Sequence, residues 1–364
     1  MRRIGSALAT LAALTLATLA QTTLAQATPA QATPAQTATA ASARAKWDTR
    51  VFARMPGGHP AYVHVARSGR VYAGTYTVPD STAPSRVLEW SAAGLQLRSW
   101  RVPARWQHRD ADHGVQVATE THDGRLVVLE TSTSSVLTLD PDTGRWRRIA
   151  QLPAGSVPNY AAWAPGGLYV TDYADGVIWR VTRDGRVSPW LRSPALDGVA
   201  EFGTTGLRYQ PGRRAFLVTQ QTISTGATLP TNGGLYRIPI DPSGAPGTPD
   251  LLWTSQPTDL PDGFGVARSG HVYIAMSGLT NRIVELDAAG RELDSFPGVP
   301  GTGENGSPIP FDTPCSATFL GSRILVANQS AVQGDASHMG ILDVEVGEPG
   351  RAPWVPASAG FSQG

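Results

Sequence analysis

Six stretches of this chain share one layout, and a repeat of about 50 residues restricts the fold more sharply than any other feature of the sequence. Each stretch opens on a short triplet, runs into a strand-like segment, turns at a glycine and continues through further short β-type segments. The opening triplets are Pro60-Ala61-Tyr62, Asp112-His113-Gly114, Pro158-Asn159-Tyr160, Thr204-Thr205-Gly206, Pro261-Asp262-Gly263 and Pro314-Cys315-Ser316. Their middle residues stand 46 to 57 positions apart. Gly69, Gly124, Gly166, Gly212, Gly270 and Gly321 follow in turn, each ahead of an apolar segment such as Val71-Tyr72-Ala73 or Val272-Tyr273-Ile274.

The third stretch shows the unit most plainly. Asn159 to Trp163 reads as a strand, Pro165-Gly166-Gly167 as its turn, and Leu168 to Thr171 as the second strand. Gly176 to Val181 gives a third, and Asp184-Gly185 is a hairpin signal leading to a fourth from Arg186 to Trp190. Four short antiparallel strands repeated at this period describe a propeller blade. Amphipathic helical periodicity is not sustained over three turns anywhere after the amino-terminal region, which disfavours an α/β alternative. The expected fold is therefore all-β, a six-bladed β-propeller of four-stranded antiparallel blades. The sixth stretch ends without a clear fourth strand, while Trp47 to Phe52 reads as an orphan strand ahead of the first. That N-terminal strand is expected to complete the last blade from outside, closing the ring and removing two free sheet edges.

The amino terminus carries a different signal. Met1-Arg2-Arg3 is followed by an apolar, Thr-diluted run to Ala20, and small residues around Ala25 suit signal-peptide cleavage. Residues 1–25 read as a secretory signal peptide, and 26–45, with the repeated Gln-Ala-Thr-Pro-Ala, as a linker without core-forming residues. A single propeller should occupy 46–355, with 356–364 as a tail. The expectation is a secreted protein, extracellular or periplasmic, monomeric, with no membrane span in its mature form. Thirty Lys and Arg against 29 Asp and Glu leave no basic surplus for nucleic acid. The single cysteine, Cys315, excludes an internal disulfide. Asn305-Gly-Ser307 and Asn328-Gln-Ser330 match the glycosylation acceptor pattern.

In a propeller the innermost strands surround a central channel, so the middle residues of the six triplets should form a ring: Ala61, His113, Asn159, Thr205, Asp262 and Cys315. Asn and Asp present the oxygen atoms that hard divalent cations prefer, and His113 suits a softer metal or a proton-transfer role. Asn and Asp also simply begin strands after turns. Tyr160 and Tyr173 are candidates to line the channel mouth and stack on a small ring, with Thr205, Asp172 and Cys315 beside them.

At these triplets the sequence resembles the regucalcin, gluconolactonase and luciferin-regenerating-enzyme family. The phrases that carry the likeness are Val157-Pro-Asn-Tyr160, Leu168-Tyr-Val-Thr-Asp172, Ile178-Trp-Arg-Val181, Gly234-Leu-Tyr-Arg-Ile-Pro-Ile240 and Leu260-Pro-Asp-Gly263, and it runs from about Val51 to Gly350. The resemblance implies a six-bladed propeller with a divalent cation in its channel, hydrolysing sugar lactones or related esters. Its metal ligands carry over onto Asn159 and Asp262. They do not carry over onto Ala61, where a Glu is expected, or Thr205, where an Asn is expected. Glu120, Glu130, Asp172 or His113 would have to supply what is missing.

Two functions follow as expectations. The first is a secreted, metal-assisted hydrolase of lactones or small esters, with Asp262 and His113 as catalytic groups. Asn159 and Asp262 would hold one divalent ion, calcium before zinc or manganese. The alternative is a non-catalytic propeller that binds a small ligand or a protein at the top of its channel.

Overall fold

The computed structural model describes residues 44–55, 57–76, 82–199, 202–223 and 231–362. The expected signal peptide and nearly all of the expected linker lie outside them. The described residues contain 24 strands. β1 (Thr49–Arg54) precedes blade 1, which comprises β2 (His59–Val65), β3 (Val71–Tyr76), β4 (Arg86–Trp90) and β5 (Gln96–Arg101). Blade 2 comprises β6 (Val115–Glu120), β7 (Leu126–Glu130), β8 (Ser135–Leu139) and β9 (Trp146–Gln151). Blade 3 comprises β10 (Pro158–Ala164), β11 (Gly167–Asp172), β12 (Val177–Val181) and β13 (Val187–Arg192). Blade 4 comprises β14 (Thr204–Gln210), β15 (Ala215–Gln220), β16 (Gly234–Pro239) and β17 (Asp250–Thr254). Blade 5 comprises β18 (Pro261–Val266), β19 (Val272–Met276), β20 (Arg282–Leu286) and β21 (Glu292–Phe296). Blade 6 comprises β22 (Pro314–Leu320), β23 (Arg323–Asn328) and β24 (Gly340–Glu345), completed by β1.

The ring closes as the orphan strand suggested. β1 runs antiparallel to β24, with Thr49 opposite Val344 and Arg54 opposite Gly340. Ahead of it, Trp47 stacks on Phe296 at 5.3 Å and donates through Nε1 to Asp294 Oδ2 at 2.9 Å. Arg44 bonds Asp48 and Asp343 at 2.9 and 2.8 Å. This amino-terminal segment therefore also ties blade 6 to blade 5.

Burial explains the strand chemistry. The second strand of a blade, such as β7 with Leu-Val-Val-Leu-Glu, is buried throughout because blades pack on both of its faces. The outermost strands, such as β5, are mostly exposed and carry the arginines and glutamines. Apolar side chains gather into six clusters, one at each blade-to-blade junction. The core is thus a ring of wedges around the channel, and each innermost strand lies against that of the next blade.

Residues 351–362 cross the face where the innermost strands end. Arg351 N bonds Val266 O, Trp354 packs on Tyr209 at 5.0 Å, His122 N bonds Ala359 O, and Phe361 packs on Trp163 at 5.3 Å. This strap touches blades 5, 4, 2 and 3, so residues 356–362 of the segment read as a tail lie on the body of the propeller. Asn305 and Asn328 are both buried, Asn328 with its amide bonded to Pro310 O and His338 O, so neither matched pattern presents an accessible acceptor. Among the described residues, no helix is long and apolar enough to cross a membrane.

Candidate functional site

A repeated irregularity aims side chains at the channel. In β2, β10, β14 and β18 the pairing with the next strand slips by one residue, at Pro60/Val63, Pro158/Ala161, Thr204/Leu207 and Pro261/Phe264. Two residues of the innermost strand then face one of its partner, which is a β-bulge. The bulged pairs are Ala61 and Tyr62, Asn159 and Tyr160, Thr205 and Gly206, and Asp262 and Gly263. In β22, Cys315 is the extra residue. In these five blades the opening triplet is therefore where the innermost strand is bent, and the bend redirects the second residue of a pair as well as the first; in β6 the slip falls later, at Val117/Thr119.

Above the bulges lies a cavity of about 790 Å³ at the end of the channel opposite the strap. Tyr62, Tyr76, His113, Gln116, Asn159, Tyr173, Gln221, Asp262, Ser277 and Cys315 are among the residues around it. Tyr62 reaches the centre. Its hydroxyl meets Asn159 Oδ1 at 2.8 Å and is hydrogen-bonded to Asp262 Oδ1. Gly263 makes this possible, because a Cβ there would stand 2.3 Å from the Tyr62 ring.

The protonation of this trio follows from counting hydrogens. A phenol has one hydrogen, and it cannot serve the Asn159 carbonyl and an ionised Asp262 at once. With Asp262 neutral, its carboxyl donates to the Tyr62 oxygen and the phenol donates on to Asn159, so each bond is made. Burial drives Asp262 the same way, lifting its pKa from 3.8 to about 7 against the opposing effect of its hydrogen bonds. Gln221 supports the far oxygen, with Nε2 at 3.2 Å from Asp262 Oδ2 and 2.8 Å from Ser277 Oγ. The Tyr173 hydroxyl fixes that amide by donating to Gln221 Oε1 at 2.6 Å.

His113, Asn159, Asp262, Tyr173 and Cys315 thus face one cavity, drawn from four of the six repeated stretches. Three other residues expected at the lining do not reach it. Tyr160, the second residue of its bulge, turns away from the cavity and packs on Tyr62, with ring centroids 4.8 Å apart, and the Arg208 guanidinium lies 4.4 Å from its ring centre. The Thr205 hydroxyl lies within bonding distance of Thr219 Oγ1 at 3.0 Å and Pro261 O at 3.1 Å, joining blades 4 and 5. Asp172 braces its own blade, accepting from Val157 N at 2.9 Å and Trp179 Nε1 at 2.8 Å. Ala61 is fully buried.

His113 Nδ1 lies 2.8 Å from Ser85 Oγ, and burial lowers its pKa. Burial pushes the Cys315 thiol well above its ordinary range, which removes the thiolate a nucleophile needs. Sequence reasoning passed over Tyr62, Gln116, Gln221 and Ser277. The repeat does align Tyr62 with Tyr160, but only the three-dimensional bend sends one to the centre and the other away.

The donor set does not fit a divalent cation at the position the resemblance implies. Calcium takes six to eight oxygen ligands at about 2.3–2.6 Å. Here the space between Asn159 and Asp262 holds the Tyr62 hydroxyl, and the second Asp262 oxygen faces an amide N–H. The carboxylates that might have completed a site are engaged elsewhere. Glu120 accepts from Arg67 N and Nε at 2.8 and 3.1 Å, and Glu130 is bonded by Ser132 and Thr133. Among the described residues, a His-and-carboxylate cluster does occur at His271, Glu285 and Glu348, outside the cavity. Tyr273, Lys46 and Ser269 already donate to its carboxylates.

No protein-family model and no curated protein matches the sequence. Solved structures do match in fold. The calcium-binding protein regucalcin from Agrobacterium tumefaciens strain C58 is 16% identical with TM-score 0.58, over 84% of this chain and 95% of its own. A gluconolactonase from Xanthomonas campestris is 16% identical with TM-score 0.56, over 81% and 88%. Virginiamycin B lyase from Staphylococcus aureus is 16% identical with TM-score 0.51, over 79% and 95%. The resemblance read from the opening triplets is thus met by solved propellers of the gluconolactonase and regucalcin kind. At this identity the likeness is one of fold, which serves more than one chemistry.

Proposed function

We propose that this protein hydrolyses a small ester or lactone in the 790 Å³ cavity, with Asp262 as the proton-transfer group and without a resident metal. The observation that carries this reading is the buried Asp262 carboxyl, poised at about 7 and bonded to a phenol on the floor of an apolar chamber. A general acid–base group works best when its pKa lies near the working pH. In its ionised form Asp262 takes a proton from a water that attacks the substrate carbonyl carbon. The Tyr62 hydroxyl turns its single hydrogen from Asn159 to the oxygen on which negative charge develops. The protonated carboxyl then returns its proton to the departing alkoxide, so water and ester become acid and alcohol with Asp262 regenerated. Burial holds Tyr62 well above the ordinary phenol range, which keeps it a donor throughout.

The gluconolactonase likeness supports the substrate class, and the calcium-binding description of the regucalcin relative supports a metal-assisted form with calcium on Asn159 and Asp262. That form requires the Tyr62 hydroxyl to leave its place. Export after removal of the amino-terminal segment, and action as a monomer on a small molecule without membrane or nucleic-acid partners, complete the proposal. The test is a panel of aldonolactones and aryl esters assayed with chelator and with added calcium, manganese or zinc. Turnover that survives the chelator and is lost in Asp262→Asn is expected. Turnover only with added metal would favour the metal-assisted form. Absence of turnover under every condition, with ligand binding retained, would make this a binding propeller.

A further inference from the structure

The cavity walls are chemically lopsided in a way the hydrolytic reading does not use. Among the described residues, no Lys or Arg lines the cavity, whereas Asp112 and Asp262 do. Arg109 acts on His113 from the exposed rim but does not line the cavity. Tyr62, Tyr76, Tyr173 and Phe202 supply aromatic surface.

The wall formed by blades 1 and 2 carries the second observation. Gln116 is 2% exposed, its Nε2 donates to the Tyr76 hydroxyl at 2.7 Å, and its Oε1 has no hydrogen-bond partner. A buried carbonyl left without a donor costs about 1–3 kcal/mol, so its place in the wall asks for an N–H or O–H from a ligand. Gly114 keeps the Tyr76 ring tight against this wall, since a Cβ there would fall 2.3 Å from it. Acceptor lone pairs therefore outnumber donors here, beside an aromatic ring, and Asp112 stands exposed at the rim of the same cavity.

We infer that Gln116, Tyr76 and Asp112 form a subsite for a protonated amine, so that the cavity takes small, largely apolar molecules bearing an ammonium group. The Gln116 oxygen accepts an ammonium N–H, Asp112 supplies charge at the rim, and the tyrosine rings solvate the cation through their faces. This inference rests on the proposed ester or lactone site and names its substrate class: an ester or lactone with a basic nitrogen set apart from the carbonyl. A carboxylate at the same place would face the Gln116 carbonyl and the Asp112 charge, with the Tyr76 hydroxyl as its one donor.

The test uses three probes of one shape, phenethylamine, 2-phenylethanol and benzoate's homologue 3-phenylpropionate, titrated into the full chain at neutral pH by calorimetry. The amine is expected to bind at least tenfold more tightly than the alcohol, and the carboxylate not at all. Gln116→Leu should remove most of the amine's advantage over the alcohol. Gln116→Glu, which adds an anion at the same wall, should tighten the amine, and thermal melts confirm that each variant is folded. Equal binding of amine and alcohol, preference for the carboxylate, or no binding of any probe would overturn the inference. Because binding is read without turnover, the two failures separate. Esters hydrolysed with no amine preference sink only the subsite, and amines bound without any turnover sink only the hydrolase.

Discussion

Replacing Asp262 by Asn should make the folded protein more stable above neutral pH, although the residue sits at the heart of the site. Asn is nearly isosteric with a neutral carboxyl and keeps a donor for the Tyr62 oxygen. Wild-type Asp262 has its pKa raised by burial from 3.8 to about 7. A raised carboxyl pKa means that folding is favoured fully below the unfolded value, and that this advantage is lost as pH rises through the window to the folded value. Three units at about 1.4 kcal/mol each amount to a loss of about 4 kcal/mol across that window. The Asn variant has no such group, so the difference between the two proteins isolates it from every other titration. Urea unfolding followed by the fluorescence of the ten tryptophans gives both stabilities at each pH. From about pH 4.5 to about pH 8.5 the variant should gain about 3 kcal/mol relative to wild type. A difference that stays flat, or a variant that becomes relatively weaker at high pH, would show that Asp262 ionises freely in the folded state. The proton chain from Asp262 through Tyr62 to Asn159 would then be wrong.

Tyr62→Phe should clear the space between Asn159 and Asp262, so a calcium-induced rise in melting temperature is expected in the variant and not in wild type; a chelator-sensitive shift in wild type would refute the plugged site. His64 is buried with neither ring nitrogen bonded, and its pKa is lowered to about 3, chiefly by burial and secondarily by Arg208. Its neutral form favours folding above 6.5, and that contribution is lost as pH falls through about 3, so His64→Leu should flatten the acid side of a stability–pH curve. Gly74→Ala would place a Cβ 1.8 Å from the Val115 carbonyl of the next blade, and denaturant melts should show a loss of about 3 kcal/mol or more. Ending the chain after Gly350 removes Trp354 and Phe361 from Tyr209 and Trp163, and a stability loss of about 2–4 kcal/mol is expected, read by thermal and urea unfolding.

Periodicity alone was enough for the architecture. Four short segments per repeat, six repeats and one unpaired leading strand leave little freedom, because every apolar face must be covered and every sheet edge paired. The pairing of β1 with β24 was legible because the sixth repeat lacked a strand and Trp47 to Phe52 had no other partner. The spacing of the opening triplets also placed His113, Asn159, Asp262 and Cys315 at one end of the channel, where the cavity holds all four.

What the sequence did not determine was which neighbour of each bulge points to the centre. Side-chain direction alternates along a regular strand, and one extra residue reverses it. Ala61 and Tyr62 stand at the same repeat positions as Asn159 and Tyr160. Yet Asn159 and Tyr62 converge on Asp262, while Tyr160 turns to Arg208. The contact that decides the chemistry joins Tyr62 to Asp262 across 200 residues and is permitted by the missing side chain of Gly263. That the space assigned to a cation holds a phenol instead is therefore a property of the closed ring, since only closure brings blades 1, 3 and 5 to a common point.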